Sequence, residues 1–181
     1  LDNTKFARFF HVRFKNEMLC QVTSEGFDYS FSKTAENKED GSETNPYTIN
    51  NKDDFFLFLA ALMSDSTSAK GLHFLQKVDL EAPNSSSVVD GMQYYGEAFA
   101  GCYDGGEKTI RYVYSGQENP EKASNVGLFT RLKDGAVIKN LKLGVNITGG
   151  YSKVGGLTGE ASGNIKLENI RGQGSIKASN E

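Results

Sequence analysis

Eight residues of this 181-residue chain are the candidates to weigh for catalysis: Asp79, Asp104, Asp134, Glu160, His11, His73, Cys20 and Cys102. Glycoside cleavage needs two carboxyl groups roughly 5 to 10 Å apart across a groove. Asp104 stands in Tyr-Asp-Gly-Gly and Asp134 in Lys-Asp-Gly, where an aspartate ahead of glycine ordinarily bonds its own backbone in a turn. These two are read as turn residues first and as acids second. The histidines form no His-Glu-x-x-His, so a zinc peptidase centre is not encoded. Cys20 and Cys102 are too far apart for a zinc knuckle. A disulfide between them and two free buried thiols both remain open, the second being preferred. A cysteine nucleophile requires a nearby histidine, and no spacing brings His73 to Cys102. Gly-x-Ser-x-Gly and phosphate-binding loops do not occur. The residues therefore point to no cofactor, no metal and no enzyme, and the enzyme alternative is a carbohydrate-active lyase or glycosidase using the four acids.

The element that must position any site is a repeat. Val126-Gly127-Leu128-Phe129 matches Val154-Gly155-Gly156-Leu157, and Ile138-Lys139-Asn140-Leu141 matches Leu167-Glu168-Asn169-Ile170 with one residue inserted. Ile110-Arg111-Tyr112-Val113-Tyr114 extends the same register backwards. Short β-rich units of this period bury their apolar residues only against neighbouring units, which predicts a solenoid. Glycine at 20 residues with three prolines and no tryptophan agrees with tight turns between short strands. The predicted fold is mostly β, a right-handed parallel β-helix with one N-terminal helix and a small N-terminal β-rich segment. Asn51 followed by Asp53 and Asp54, then Phe55, Phe56, Leu59, Leu62 and Met63 at helical spacing, predicts that helix over about 52–64. Residues 1–44 form a β-rich segment and linker, either a cap or the end of a preceding domain. Residues 45–181 are the β-helix, expected to continue past the chain end.

The charge of −3 gives no footprint for nucleic acid, and no apolar run is long enough for a membrane span. The remaining candidates are binding residues. The repeat register stacks Ile110, Ile138 and Leu167 inward, with Val113, Leu141 and Ile170 as a second stack. Asn140 and Asn169 then form an inward amide ladder. Outward, Arg111 stacks on Lys139 and Glu168, and Tyr114 on Lys142 and Arg171. Such a face is locally basic and fits an acidic glycan or a carboxylate-rich surface protein, the plainer alternative being a solvated face with Lys139 paired to Glu168. Tyr94 and Tyr95 offer rings for sugar stacking, with packing beneath a loop as the alternative. The open last coil predicts cover by further β-helix coils or a neighbouring chain.

Asn45-Pro46-Tyr47-Thr48-Ile49, Phe74-Leu75-x-x-Val78-Asp79-Leu80, Ala98-Phe99-Ala100-Gly101-Cys102-Tyr103-Asp104-Gly105, Gly127-Leu128-Phe129, Ala136-Val137-Ile138-Lys139-Asn140-Leu141 and Gly155-Gly156-Leu157-Thr158-Gly159 follow one another in an order that resembles the GLUG-repeat proteins of bacterial surfaces. The resemblance implies an exported β-helix, cell-surface or extracellular, of the adhesin or lipoprotein kind. It leaves activity open. The stretch Gly106-Glu107-Lys108-Thr109 departs from the family's small polar turn.

Overall fold

The computed structural model describes residues 22–23, 26–27, 29, 39–65, 67–81, 98–115, 124–149 and 152–177. Two strands, β1 (Val22–Thr23) and β2 (Gly26–Phe27), pair antiparallel. After β3 (Tyr47–Ile49) comes the helix α1 (Lys52–Ser64), at the expected place. Asn51 caps it by accepting from the Asp54 N–H at 2.9 Å. The rest is strand: β4 (His73–Gln76), β5 (Leu80–Glu81), β6 (Ala98–Phe99), β7 (Cys102–Ser115), β8 (Ser124–Val126), β9 (Phe129–Leu132), β10 (Val137–Thr148), β11 (Ser152–Val154), β12 (Thr158–Ala161) and β13 (Lys166–Lys177).

All pairings from β3 onward are parallel, and they form a β-solenoid of about three turns. The large sheet runs β13-β10-β7-β4-β3, with β5 also on β7; β12-β9-β6 and β11-β8 are the two smaller sheets. The long strands turn a corner within their length. Asn140 and Asn169 occupy the left-handed region there, at φ 51° and 50°, a conformation asparagine tolerates because its side chain can bond locally. The inserted residue of the repeat falls at Gly155-Gly156, because Ser124 and Val126 pair with Ser152 and Val154 whereas Phe129 pairs with Thr158.

Aromatic rings fill the interior at the helix end. The Phe58 ring of α1 lies 4.8 Å from Phe74, 5.8 Å from Tyr103 and 6.1 Å from Phe99, centroid to centroid. Phe99 in turn stacks on Phe129 at 4.9 Å. The buried polar groups among them are tied to partners. Gln76 donates to the Val78 and Thr109 carbonyls and accepts from the Tyr103 hydroxyl, which links β4 to β7 through the core. The segment ahead of Asn45 contributes to the same core. Tyr29 is fully buried and donates to Asp65 at 2.8 Å, and Glu39 accepts from both the N–H and the hydroxyl of Thr48.

The opposite end has no cover among the described residues. Among the described residues β13 has one strand partner, β10, and Leu167 and Ile176 are 52% and 46% exposed. No helix among the described residues is long and apolar enough to cross a membrane.

Candidate functional site

Between β10 and β13 the expected register holds throughout: Ile138 lies beside Leu167, Lys139 beside Glu168, Leu141 beside Ile170 and Lys142 beside Arg171. Between β7 and β10 it does not. Asp104 pairs with Lys139, 35 residues apart, and after the corner Lys108 pairs with Leu141, 33 apart. Three residues, Gly105, Gly106 and Glu107, stand on β7 where β10 has Asn140 alone. A bulge of this kind moves every later residue to a new partner.

The expected ladders change accordingly. Ile110 is interior but sits beside Leu143, while the place beside Ile138 belongs to Tyr103. Val113, expected in the core, pairs with Asn146 and is 42% exposed. Arg111 lies next to Gly144 and Glu81, away from Lys139. Tyr114 points inward, packed with Val126 and Ile147, so it offers no ring to a ligand. The amide ladder exists, Asn169 donating to Asn140 at 3.2 Å and Asn140 to Asp104 at 3.1 Å. It lies at the corner of the long strands, half-buried at Asn140 and exposed at Asn169 on the last coil, where Asn169 also bonds the Glu107 carboxylate.

The face is not basic. Lys139 is 3.5 Å from the Asp104 carboxylate, and Lys166 is 2.9 Å from Glu168. Lys142 donates to the Glu107 carbonyl at 2.8 Å, with the Glu107 carboxylate 3.9 Å away. Arg111 and Arg171 differ from these lysines: among the described residues neither has a carboxylate within ion-pair distance. Tyr94, Tyr95, His11 and Cys20 lie outside the described residues.

Each of the four acids has structural work. Asp79 accepts from the Thr109 N–H at 2.7 Å, and Asp104 from the Gly106 N–H at 2.9 Å. Asp134 accepts from both the backbone and the side-chain amide of Asn164, which holds its carboxyl below the usual carboxylate range. Glu160 is salt-bridged to Arg131 at 3.4 Å and to Lys153 at 3.2 Å.

One juxtaposition escaped the sequence. His73 and Cys102 are register partners on β4 and β7, lining a pocket of about 290 Å³ with Glu43, Lys139, Lys166 and Glu168. Cys102 is a free thiol, and burial pushes its pKa up, against the opposing pull of Lys139. A nucleophile needs the thiolate, which this burial disfavours. No group of three His, Cys, Asp or Glu able to hold a metal occurs among the described residues.

The larger concavity is an open trough of about 680 Å³ crossing β5, β7, β10 and β13. Its central rung is Glu81, Arg111, Gly144 and Gln173, side by side on successive strands. A second rung is Val113, Asn146 and Ser175, whose hydroxyl donates to the Asn146 amide oxygen at 2.8 Å. Gly144 supplies the depth: a Cβ there meets the Arg111 Cγ at 3.1 Å. Of these residues the sequence pointed only to Arg111. The alternation along β10 does mark Gly144 and Asn146 as outward, but placing them beside Arg111 required the shifted register. The chain matches no family model, no curated protein and no solved structure.

Proposed function

We propose that the chain is a non-catalytic binding segment of an exported bacterial surface protein of the GLUG-repeat kind, adhesin-like, which holds an extended glycan against one outer face of the solenoid. The observation that carries this reading is the trough across four strands. A groove whose lining residues stand side by side at the strand spacing of about 4.8 Å offers an extended polymer a contact on each successive coil. Its lining combines an exposed valine, two amides and a guanidinium, a mixture suited to a sugar's apolar ring face and hydroxyl rim. The order of motifs along residues 45–176 supports export and surface placement. The engagement of Asp79, Asp104, Asp134 and Glu160 in turns, inter-coil bonds and ion pairs supports binding over cleavage.

The test is a screen of the purified chain against immobilised neutral and acidic polysaccharides, with oligosaccharide products assayed in the same samples. Retention of at least one polymer without release of shorter products is expected. Release of products that persists in a repurified sample sinks the non-catalytic reading, and failure to retain any polymer sinks the glycan reading.

A further inference from the structure

We infer that the trough selects uronate-bearing polysaccharides, with Arg111 as the carboxylate receptor and the polymer lying across the strands, along the solenoid axis. The inference rests on the glycan-binding reading above and names the ligand class of that site. Arg111 is the cation at the middle of the trough, exposed, and free of an ion pair among the described residues. Three lysines of the face are differently placed. Lys139, Lys142 and Lys166 each lie against a carboxylate, so they present pairs and not charges. A guanidinium takes a carboxylate in two parallel hydrogen bonds, which a lysine cannot do.

The surroundings fix the direction of the ligand. Gly144 and Gln173 continue the Arg111 rung across the next two coils, and Asn146 stands one rung along. Ser175 occupies the Asn146 amide oxygen, which leaves the NH₂ to donate to a sugar hydroxyl. Val113 gives an apolar patch beside Arg111 for the ring face. Glu81, next to Arg111 on the other side, repels a second carboxylate at that end, so one uronate per Arg111 is accommodated. Arg171, on the neighbouring outward position to Gln173 in β13, receives a further carboxylate where the polymer passes over β13, two strands from Arg111.

Calorimetric titration with polygalacturonate, its methyl ester and a neutral glucan tests this. Polygalacturonate is expected to bind in a salt-sensitive way and the ester weakly. Arg111→Ala is expected to weaken polygalacturonate binding about tenfold or more, with Arg111→Lys recovering part of it and Lys52→Ala, remote on α1, changing nothing. Gly144→Val, which fills the floor, should match Arg111→Ala; circular dichroism on each variant separates lost binding from lost fold. Equal binding of acid and ester, full binding by Arg111→Ala, or binding of the neutral glucan alone overturns the uronate assignment while glycan binding stands. Absence of binding to all three, joined to a negative polysaccharide screen, overturns both.

Discussion

Two neighbouring strand pairs of one sheet, β10 with β13 and β7 with β10, behave differently under the same repeat. The first keeps a constant offset of 29 residues from Val137 with Lys166 to Thr148 with Lys177. The second changes offset at its corner, where Gly105, Gly106 and Glu107 face Asn140. A solenoid's interior demands only that apolar residues meet apolar residues, and it leaves the corner free to vary in length. Periodicity therefore reports register where the corners are equal in length and misreports it where they are not. The outward residues, which carry function, suffer most from the error.

The largest expected effect separates a covered coil from an uncovered one. Ile138 and Leu167 are register partners, yet Ile138 is fully buried and Leu167 is 52% exposed. Ile138→Ala is expected to cost about 2 to 5 kcal/mol, and Leu167→Ala about 1 kcal/mol or less. Urea unfolding of the two variants measures both. Equal costs mean that β13 is covered in solution by another coil or another chain, which removes the contrast between the two ends.

A smaller effect probes the corner that broke the register. A Cβ on Gly105 lies 2.6 Å from the Asn140 carbonyl oxygen and 2.7 Å from the Leu141 Cα, so Gly105→Ala forces β7 away from β10. The expected loss is about 1 to 3 kcal/mol, as for overpacking elsewhere. Gly172, on the open strand β13, has no neighbour within 4 Å of its Cβ position. Gly172→Ala should change stability by no more than about 0.5 kcal/mol. If the two glycines tolerate alanine equally, the corner is not the tight feature that sets the β7 register.

The sequence showed the architecture well because the features that define it are local. The helix announced itself through Asn51, the acidic first turn and the spacing of Phe55, Leu59 and Leu62. The inserted residue was visible as a step in the repeat offset, and the strand pairing places it at Gly155-Gly156. Placing Arg111 was different. Its partners depend on how many residues β7 spends turning, and the departure at Gly106-Glu107-Lys108-Thr109 signalled an anomaly without its size. Tyr114 went inward and Val113 outward for the same reason. The nearness of His73 to Cys102 was illegible although the two stand one coil length apart, because the sequence between β5 and β6, residues 82–97, carries no periodic signal that would set their register.

The smallest effect concerns a tie between the two regular coils and depends on pH. Asp134, on the loop before β10, accepts from the backbone N–H of Asn164 at 2.9 Å and from its side-chain amide at 3.1 Å. These bonds favour the carboxylate and hold its pKa below the ordinary value, although the group is open to solvent. A carboxyl whose native pKa is depressed stabilises the fold above its unfolded pKa, and that contribution disappears as the pH falls through the native value. Asp134→Ala is therefore expected to lower Tm slightly at neutral pH, by less than Gly105→Ala does. The gap from the unsubstituted protein should close on acidification below the usual carboxylate range, because both proteins then lack the charge. Thermal melts of the pair from pH 7 down to about pH 2 give the answer. A gap that stays constant over that range assigns Asp134 a role in shaping the turn that owes nothing to its ionisation, and a gap that widens on acidification contradicts the sign of the shift.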